Sequence, residues 1–195
     1  NVSSANELIP TLKVVLDDGS QTPLDKTYLK AILSEACQAI PDVDTEFLLQ
    51  ETLKNLFDGI KQKDVEKALV LSARMFIEKE PNYTYVAARL LLNILRNEAF
   101  SFLKITGQPF NKLVSHFYPN YFKQYIKAGI GYNLLEPKLA DFDLDLLAAS
   151  LKPERDLKFA YLGLQTLYDR YFLHVNGTRF ELPQALFMRV AMGLA

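Results

Sequence analysis

The residues best suited to bind something lie near the start of the chain. Asp18-Gly19 falls in a short turn, and Asp25-Lys26 follows it closely. Asp25 is placed to cap a helix, because its carboxylate can accept from the open N–H groups of a first helical turn. Those N–H groups and the helix dipole favour an anion, and Lys26 adds a positive charge. The chemistry implied is phosphate binding. Most helix N-termini bind only water, so the spacing marks a place and not yet a ligand.

Other reactive side chains are sparse. Cys37 is the one cysteine, so dithiol chemistry, which needs two thiols within bonding reach, is excluded for this chain alone. Beside Ala36 it reads as a small buried hydrophobe. His116 and His174 are far apart and lack spaced partners for a metal. Asp141, Asp143 and Asp145 alternate like cation ligands, but the glycine and final glutamate of a calcium loop are missing. They read as a solvated loop and a helix start. Phe117, Tyr118, Tyr121, Phe122 and Tyr125 form a stripe at helical spacing. Core packing is the default, with a partner-facing surface as the alternative. Arg89 and Arg96, seven apart, share a helix face and read as a solvated face or as ion pairs.

The elements that must hold these residues are mostly helical. Leu12 to Leu16 and Gln21 to Leu24 flank Asp17-Asp18-Gly19-Ser20 and predict a β-hairpin. Leu29, Ile32, Leu33, Ala36 and Ile40 predict a first helix, stopped by Pro41. Asp44 opens a second, with Leu49, Leu53 and Leu56 on one face, ending at Asp58-Gly59. Asp64 opens a third, with Val65, Ala68, Leu69, Ser72 and Phe76 inward. A fourth runs from about Tyr83 to Phe102, apolar nearly all round and therefore central. Ile105 to Pro109 is the predicted linker. Beyond it, helices are expected near 111–129, 137–150 and 155–173. Leu157, Tyr161, Leu164, Tyr168 and Tyr171 share a face of the last. Asn176-Gly177 suits a type I′ hairpin turn, and Pro183 suits the first turn of a final helix.

The fold class expected is mainly α with a small β portion. A hairpin or small sheet lies over four helices, followed by an all-helical unit with a terminal hairpin and helix. The expected division is 1–104 and 105–195. The chain has 195 residues and a net charge of −1, so no basic field points to nucleic acid or anionic membrane. Lys123 and Lys127 beside the aromatic stripe do not change that. The longest apolar run, Val86 to Leu95, is interrupted by Arg89 and Asn93 and is too short to span a bilayer. With a single cysteine and no visible signal peptide, a reducing cytoplasm is the expected setting. Starting at Asn1 and ending at Ala195 within a helical pattern, the chain is expected to be a piece of a longer one.

Several motifs carry a family resemblance. Asp18-Gly19, Leu24-Asp25-Lys26, Asp58-Gly59-Ile60-Lys61 and Pro81-Asn82-Tyr83 occur in that order, followed by Ala87-Ala88-Arg89-Leu90. Over about residues 11 to 100 this resembles the ATP-cone, which senses ATP against dATP in ribonucleotide reductases. The resemblance makes Asp18, Gly19, Lys26 and Lys61 the candidate nucleotide-binding residues. It implies ATP or dATP, with magnesium, as the ligand. The departures are specific. Where the cone's turn carries a Lys-Arg pair, this chain has Leu16-Asp17. The usual threonine after Gly-Ile-Lys is Gln62, and a usual basic residue is Asn97. Asp17 turns attraction for a triphosphate into repulsion. The reading is a degenerate cone, with fold kept and nucleotide binding weakened or lost.

The run from Arg155-Asp156 through Phe159, Tyr161, Gly163, Tyr168 and Tyr171-Phe172-Leu173 continues with Asn176-Gly177. It ends with Glu181-Leu182-Pro183-Gln184 and Met188-Arg189-Val190-Ala191. It resembles the N-terminal helical domain of the class I ribonucleoside-diphosphate reductase large subunit, where it approaches the catalytic barrel. The resemblance implies a regulatory and structural fragment without activity of its own and without a resident cofactor. The implied partners are the remainder of the large subunit, a radical-generating small subunit and further copies in an oligomer. The alternative is a nucleotide-independent assembly module, which the Leu16-Asp17 change favours. No zinc-ribbon cysteine set supports a cone-bearing transcriptional regulator.

Overall fold

The computed structural model describes residues 12–16, 18–106 and 114–195. Asp17, and Gly107 to Pro109 of the predicted linker, lie outside them, as do residues 111–113 of the predicted fifth helix. Strands β1 (Lys13–Val15) and β2 (Gln21–Pro23) form the expected antiparallel hairpin, with Val14 opposite Thr22. A third strand, β3 (Ile60–Lys61), pairs with β1 in parallel and gives the order β2-β1-β3. Only Val14 and Ile60 of this ladder are fully buried, so the sheet rests one face on the helices.

Helix α1 (Lys26–Cys37) starts as predicted, with the Asp25 carboxylate accepting from Tyr28 N at 2.9 Å. It buries Leu29, Ile32, Leu33 and Ala36. It ends before Pro41, which does not stop it. Ala39 turns left-handed at φ 59, and Arg89 Nη1 donates to the carbonyls of Ala36 and Gln38. The guanidinium thus satisfies C-terminal carbonyls that a helix end leaves open. Helix α2 (Thr45–Lys54) has the Asp44 cap predicted for it, bonded to Phe47 N at 2.9 Å. Its buried face is Leu48, Leu49 and Thr52, whereas Leu56 lies beyond its end. Helix α3 (Gln62–Met75) begins two residues ahead of Asp64, which sits in the first turn and complements the dipole. Helix α4 (Tyr83–Phe102) matches the expectation and is buried on nearly every side from Val86 to Phe100.

The second half departs more. Helix α5 (Val114–Gly131) carries the aromatic stripe and Pro119. The predicted helix over 137–150 is two pieces, a 3-10 turn Pro137–Asp141 and helix α6 (Leu144–Ser150) capped by Asp143. The predicted helix over 155–173 also splits, into a 3-10 turn Pro153–Lys158 and helix α7 (Tyr161–Arg170). Phe159 and Ala160 are extended at the break. There Phe159 stacks on Phe187, with ring centroids 6.5 Å apart, and Tyr161 N donates to Thr84 Oγ1 at 3.1 Å. Tertiary contacts outweigh helical continuity at that point. Tyr171, predicted on the buried face, is 59% exposed past the end of α7. Strands β4 (His174–Val175) and β5 (Thr178–Arg179) flank Asn176 and Gly177 at φ 51 and 83, as a type I′ turn requires. Helix α8 (Pro183–Leu194) follows with proline in its first turn.

The buried side chains of both halves form one contiguous cluster. Within it, Tyr118, Tyr121, Phe122 and Tyr125 are fully covered, so the aromatic stripe is core. Each tyrosine hydroxyl has a partner. Tyr118 donates to Asp156 at 2.8 Å, Tyr121 to the Phe180 carbonyl at 2.9 Å and Tyr125 to Glu181 at 2.5 Å. Burial, followed by the neighbouring Glu181 carboxylate, holds the Tyr125 hydroxyl far above its ordinary range.

Arg96 is not on a solvated face. It is 2% exposed and pairs with Asp156, itself 1% exposed, at 3.8 Å. Asp156 also accepts from Gln184 Nε2 at 2.9 Å. Burial pushes the Asp156 carboxyl up to about 6 against the pull of Arg96, Gln184 and Tyr118. This network joins α4, α5, the 153–158 turn and α8. Asp156→Ala leaves Arg96 as a buried charge without that carboxylate. It should lower the unfolding free energy by about 3–5 kcal/mol in urea titration. Lys123→Ala, which cuts an exposed pair with Asp145, should leave the urea midpoint unchanged.

Candidate functional site

The hairpin tip is built by its own side chains. Leu16 N donates to the Ser20 carbonyl, and Gly19 N to the Leu16 carbonyl, each at 2.9 Å. Asp18 Oδ1 accepts from Ser20 N at 2.8 Å and from Ser20 Oγ at 2.6 Å. The Ser20 bonds hold the Asp18 carboxyl below its ordinary value. Gly19 has φ +83, a conformation in which a side chain is strained. Asp18 and Gly19 therefore shape the turn.

Asp58-Gly59 fastens this hairpin to the helices. Asp58 Oδ1 accepts from Lys13 N at 2.7 Å, and Gly59 N donates to the Lys13 carbonyl at 2.9 Å. Gly59 is at φ +82. The β3 register then sets Lys61 beside Val15 of the hairpin. Lys26 stands exposed at the start of α1, and Lys61 is exposed where α3 begins.

Two hollows adjoin these elements. A cavity of about 150 Å³ lies under the hairpin, lined by Leu16, Thr22, Asp25, Tyr28, Gln62 and Glu66 among others. A cleft of about 720 Å³ lies between α3, the end of α4 and the β4–β5 hairpin. Lys63, Glu66, Asn97, Glu98, Tyr168 and Arg179 contribute to it. Its volume is in the range of small-molecule sites. Gln62 and Glu66 line both hollows, while Lys26 and Lys61 line neither.

The charges of the cleft are largely engaged. Arg179 packs over the Tyr168 ring at 3.8 Å, donates to the Tyr168 carbonyl at 2.6 Å and meets Glu98 at 3.8 Å. Glu98 also accepts from Arg179 N at 2.5 Å and from the Tyr168 hydroxyl at 2.9 Å. Burial pushes the Tyr168 hydroxyl up to about 12, reinforced by Glu98. Lys67 pairs with Asp64 at 3.3 Å. Glu66 is hydrogen-bonded to Asn97, and its burial raises the carboxyl above its ordinary value.

Glu66, Glu98 and Arg179 were not singled out from the sequence. Glu66 falls four residues after Gln62 on one face of α3, a signal that the spacing does contain. Arg179 and Glu98 are 81 residues apart, and no local pattern joins them. Cys37 is buried, and that burial raises its thiol pKa. Among the described residues no group of three metal-ligating side chains occurs, and no helix is long and apolar enough to cross a membrane.

Residues 12–98 match the model of the ATP cone domain, and residues 157–195 match that of the ribonucleotide reductase all-alpha domain. The chain thus carries, in order, matches to two ribonucleotide reductase domains, and it is similar to the N-terminal part of ribonucleoside-diphosphate reductase alpha subunits. It is 42% identical over 95% of its length to the ribonucleoside-diphosphate reductase subunit alpha of Chlamydia muridarum, of which it covers 17%. It is 33% identical over 94% of its length to the same subunit of Helicobacter pylori, of which it covers 22%. The subunit of Enterobacteria phage T4 matches at 27% over 94% of this chain, and 23% of the phage subunit is covered. The chain thus spans roughly a fifth of the length of these relatives, at their N-terminal end.

In this cone, the residues that depart from the usual motif converge. Leu16 and Gln62 line the cavity under the hairpin, and Gln62 and Asn97 line the cleft. The anchor of the hairpin is Asp58. Asp58→Ala should strand the Lys13 N–H and cost about 1 kcal/mol. Hydrogen exchange should then show faster exchange at Val14 and Thr22 than in α4.

Proposed function

We propose that this chain is the regulatory and structural N-terminal part of a ribonucleoside-diphosphate reductase large subunit, with allosteric nucleotide sensing weakened or lost. Residues 1–104 form the cone-like unit and 105–195 the helical unit leading toward the catalytic barrel. The observation that carries the loss of sensing is the lining of the hollows beside the hairpin. Leu16, Gln62, Glu66 and Asn97 line them and Lys26 and Lys61 do not, while of the cations in the cleft Lys67 is paired with Asp64, Arg179 with Glu98, and Lys63 stands beside Glu66 on α3. A triphosphate needs cations or many N–H donors to replace its hydration. Here the candidate set Asp18, Gly19, Lys26 and Lys61 offers two solvated lysines and a turn whose carboxylate is occupied by Ser20. These residues do not fit ATP or dATP well, with or without magnesium.

The reductase chemistry belongs to a longer protein. A dithiol reduction needs two thiols, and this chain has Cys37 alone. The partners are the remainder of the large subunit, a radical-generating small subunit and further copies in an oligomer, in a reducing cytoplasm. The second reading, a nucleotide-independent assembly module, rests on the same lining of Leu16, Gln62, Glu66 and Asn97. It differs in giving the cone no sensing role at all.

Calorimetric titration with ATP and then dATP, each with magnesium, tests the reading. No heat at millimolar nucleotide from folded protein is expected, and micromolar binding would overturn the loss of sensing. The isolated chain should show no ribonucleotide reduction with any reductant. Turnover by this chain alone would refute the assignment of chemistry to the rest of the subunit.

A further inference from the structure

The motif departures at the hairpin are one feature of this cone, and a carboxylate on α3 is another. Glu66 lines both the small cavity and the large cleft. It sits one turn into α3 after Gln62, so the two share a face. Its partner is Asn97, across on α4. An amide donating to a carboxylate is a satisfied pair, and it ties α3 to α4 at the wall common to both hollows. The groups facing this carboxylate differ by element. On α3 they are Gln62, Lys63 and Lys67, with Lys67 drawn to Asp64. On α4 they are Asn97 and Glu98, and from α1 come Tyr28 and Asp25. Arg179, the guanidinium of the cleft, is turned to Glu98 and Tyr168. Among the described residues no cation forms an ion pair with Glu66, and a polyphosphate entering either hollow would meet a partly buried carboxylate.

We infer that Glu66 is a built-in anion that excludes polyphosphate from the cone, with Asn97 holding it in place. This rests on the proposed loss of nucleotide sensing and names the residue that sets the ligand class. The exclusion is electrostatic and local. In a partly buried setting a like charge is screened little by salt. It therefore acts even where Lys26 and Lys61 attract the ligand from outside. Removing the charge while keeping its shape should open the site to phosphate, because a glutamine still accepts from Asn97.

The experiment titrates the whole chain, Glu66→Gln and Glu66→Lys with inorganic tripolyphosphate and with ATP, each with magnesium. Circular dichroism and thermal melting verify folding. Glu66→Gln should bind tripolyphosphate at least tenfold more tightly than the unsubstituted chain, and Glu66→Lys more tightly still. A folded Glu66→Gln and a folded Glu66→Lys that bind no better than the unsubstituted chain would overturn the inference and leave the loss of sensing intact. Micromolar binding of ATP by the unsubstituted chain would overturn the loss of sensing itself. Should one variant fail to fold, the other decides, since both remove the negative charge.

Discussion

The buried meeting of Arg96 with Asp156 is the constraint on which the rest of the arrangement depends. A guanidinium with 2% exposure is tolerable only if its charge and donors are answered inside the protein. The carboxylate that answers it comes from a turn 60 residues away in sequence. That turn must therefore sit against α4. Once it does, Tyr118 and Gln184 complete the carboxylate's bonding and bring α5 and α8 into fixed positions. One residue later on α4, Asn97 faces Glu66, and at the next Glu98 holds Arg179. Three successive residues of one helix point to the second unit's core, to the cone's hollows and to the second hairpin. Helix α4 is thus the member through which the two halves share geometry.

Such sharing bears on what a cone is for. A sensing domain transmits only if a ligand stabilises one of two arrangements over another. In the reading proposed above, the wall of the hollow already carries the Glu66 carboxylate held by Asn97, and two of the cleft's three cations, Lys67 and Arg179, are paired with carboxylates. The hairpin keeps its shape through Asp18, Gly19, Asp58 and Gly59, which serve the fold whether or not a ligand comes. That separation explains how the motif residues governing backbone shape persist while those governing charge have changed.

The sequence made the first hundred residues legible because their determinants are local. Asp25 and Asp44 cap where they stand, and the apolar stripes of α1 and α4 repeat at helical spacing. Strand β3 was invisible because two residues carry no period, and its existence depends on β1 lying alongside. The breaks in the predicted helices over 137–150 and 155–173 were invisible for a related reason. Phe159 leaves the helix to stack on Phe187, a partner 28 positions on. The hidden part of the site has the same character. Asp18, Gly19, Lys26 and Lys61 were readable from motif order, but none of them lines the hollows, whose walls include Glu66 and the Glu98–Arg179 contact. The spacing puts Glu66 on the face of Gln62, but spacing alone does not say that this face borders a cavity. Arg96 is the sharpest case, since the sequence leaves a solvated face and an ion pair equally open, and only the structure supplies the distant carboxylate that makes it a buried pair.

The second unit puts its polar chemistry to structural use. Tyr118, Tyr121 and Tyr125 resemble a reactive row, yet each hydroxyl is committed to a fixed acceptor and burial holds it protonated. Glu181 accepts from Tyr125 and from Leu173 N, and is bound by Arg189 Nε at 2.5 Å. That carboxylate lies immediately before α8, whose outer side carries the exposed Phe187, Val190 and Leu194. A charge-assisted network behind a helix fixes its orientation more firmly than apolar packing alone, because a rotated helix would strand buried charge. The tyrosine row is therefore best understood as the backing that holds α8 in place.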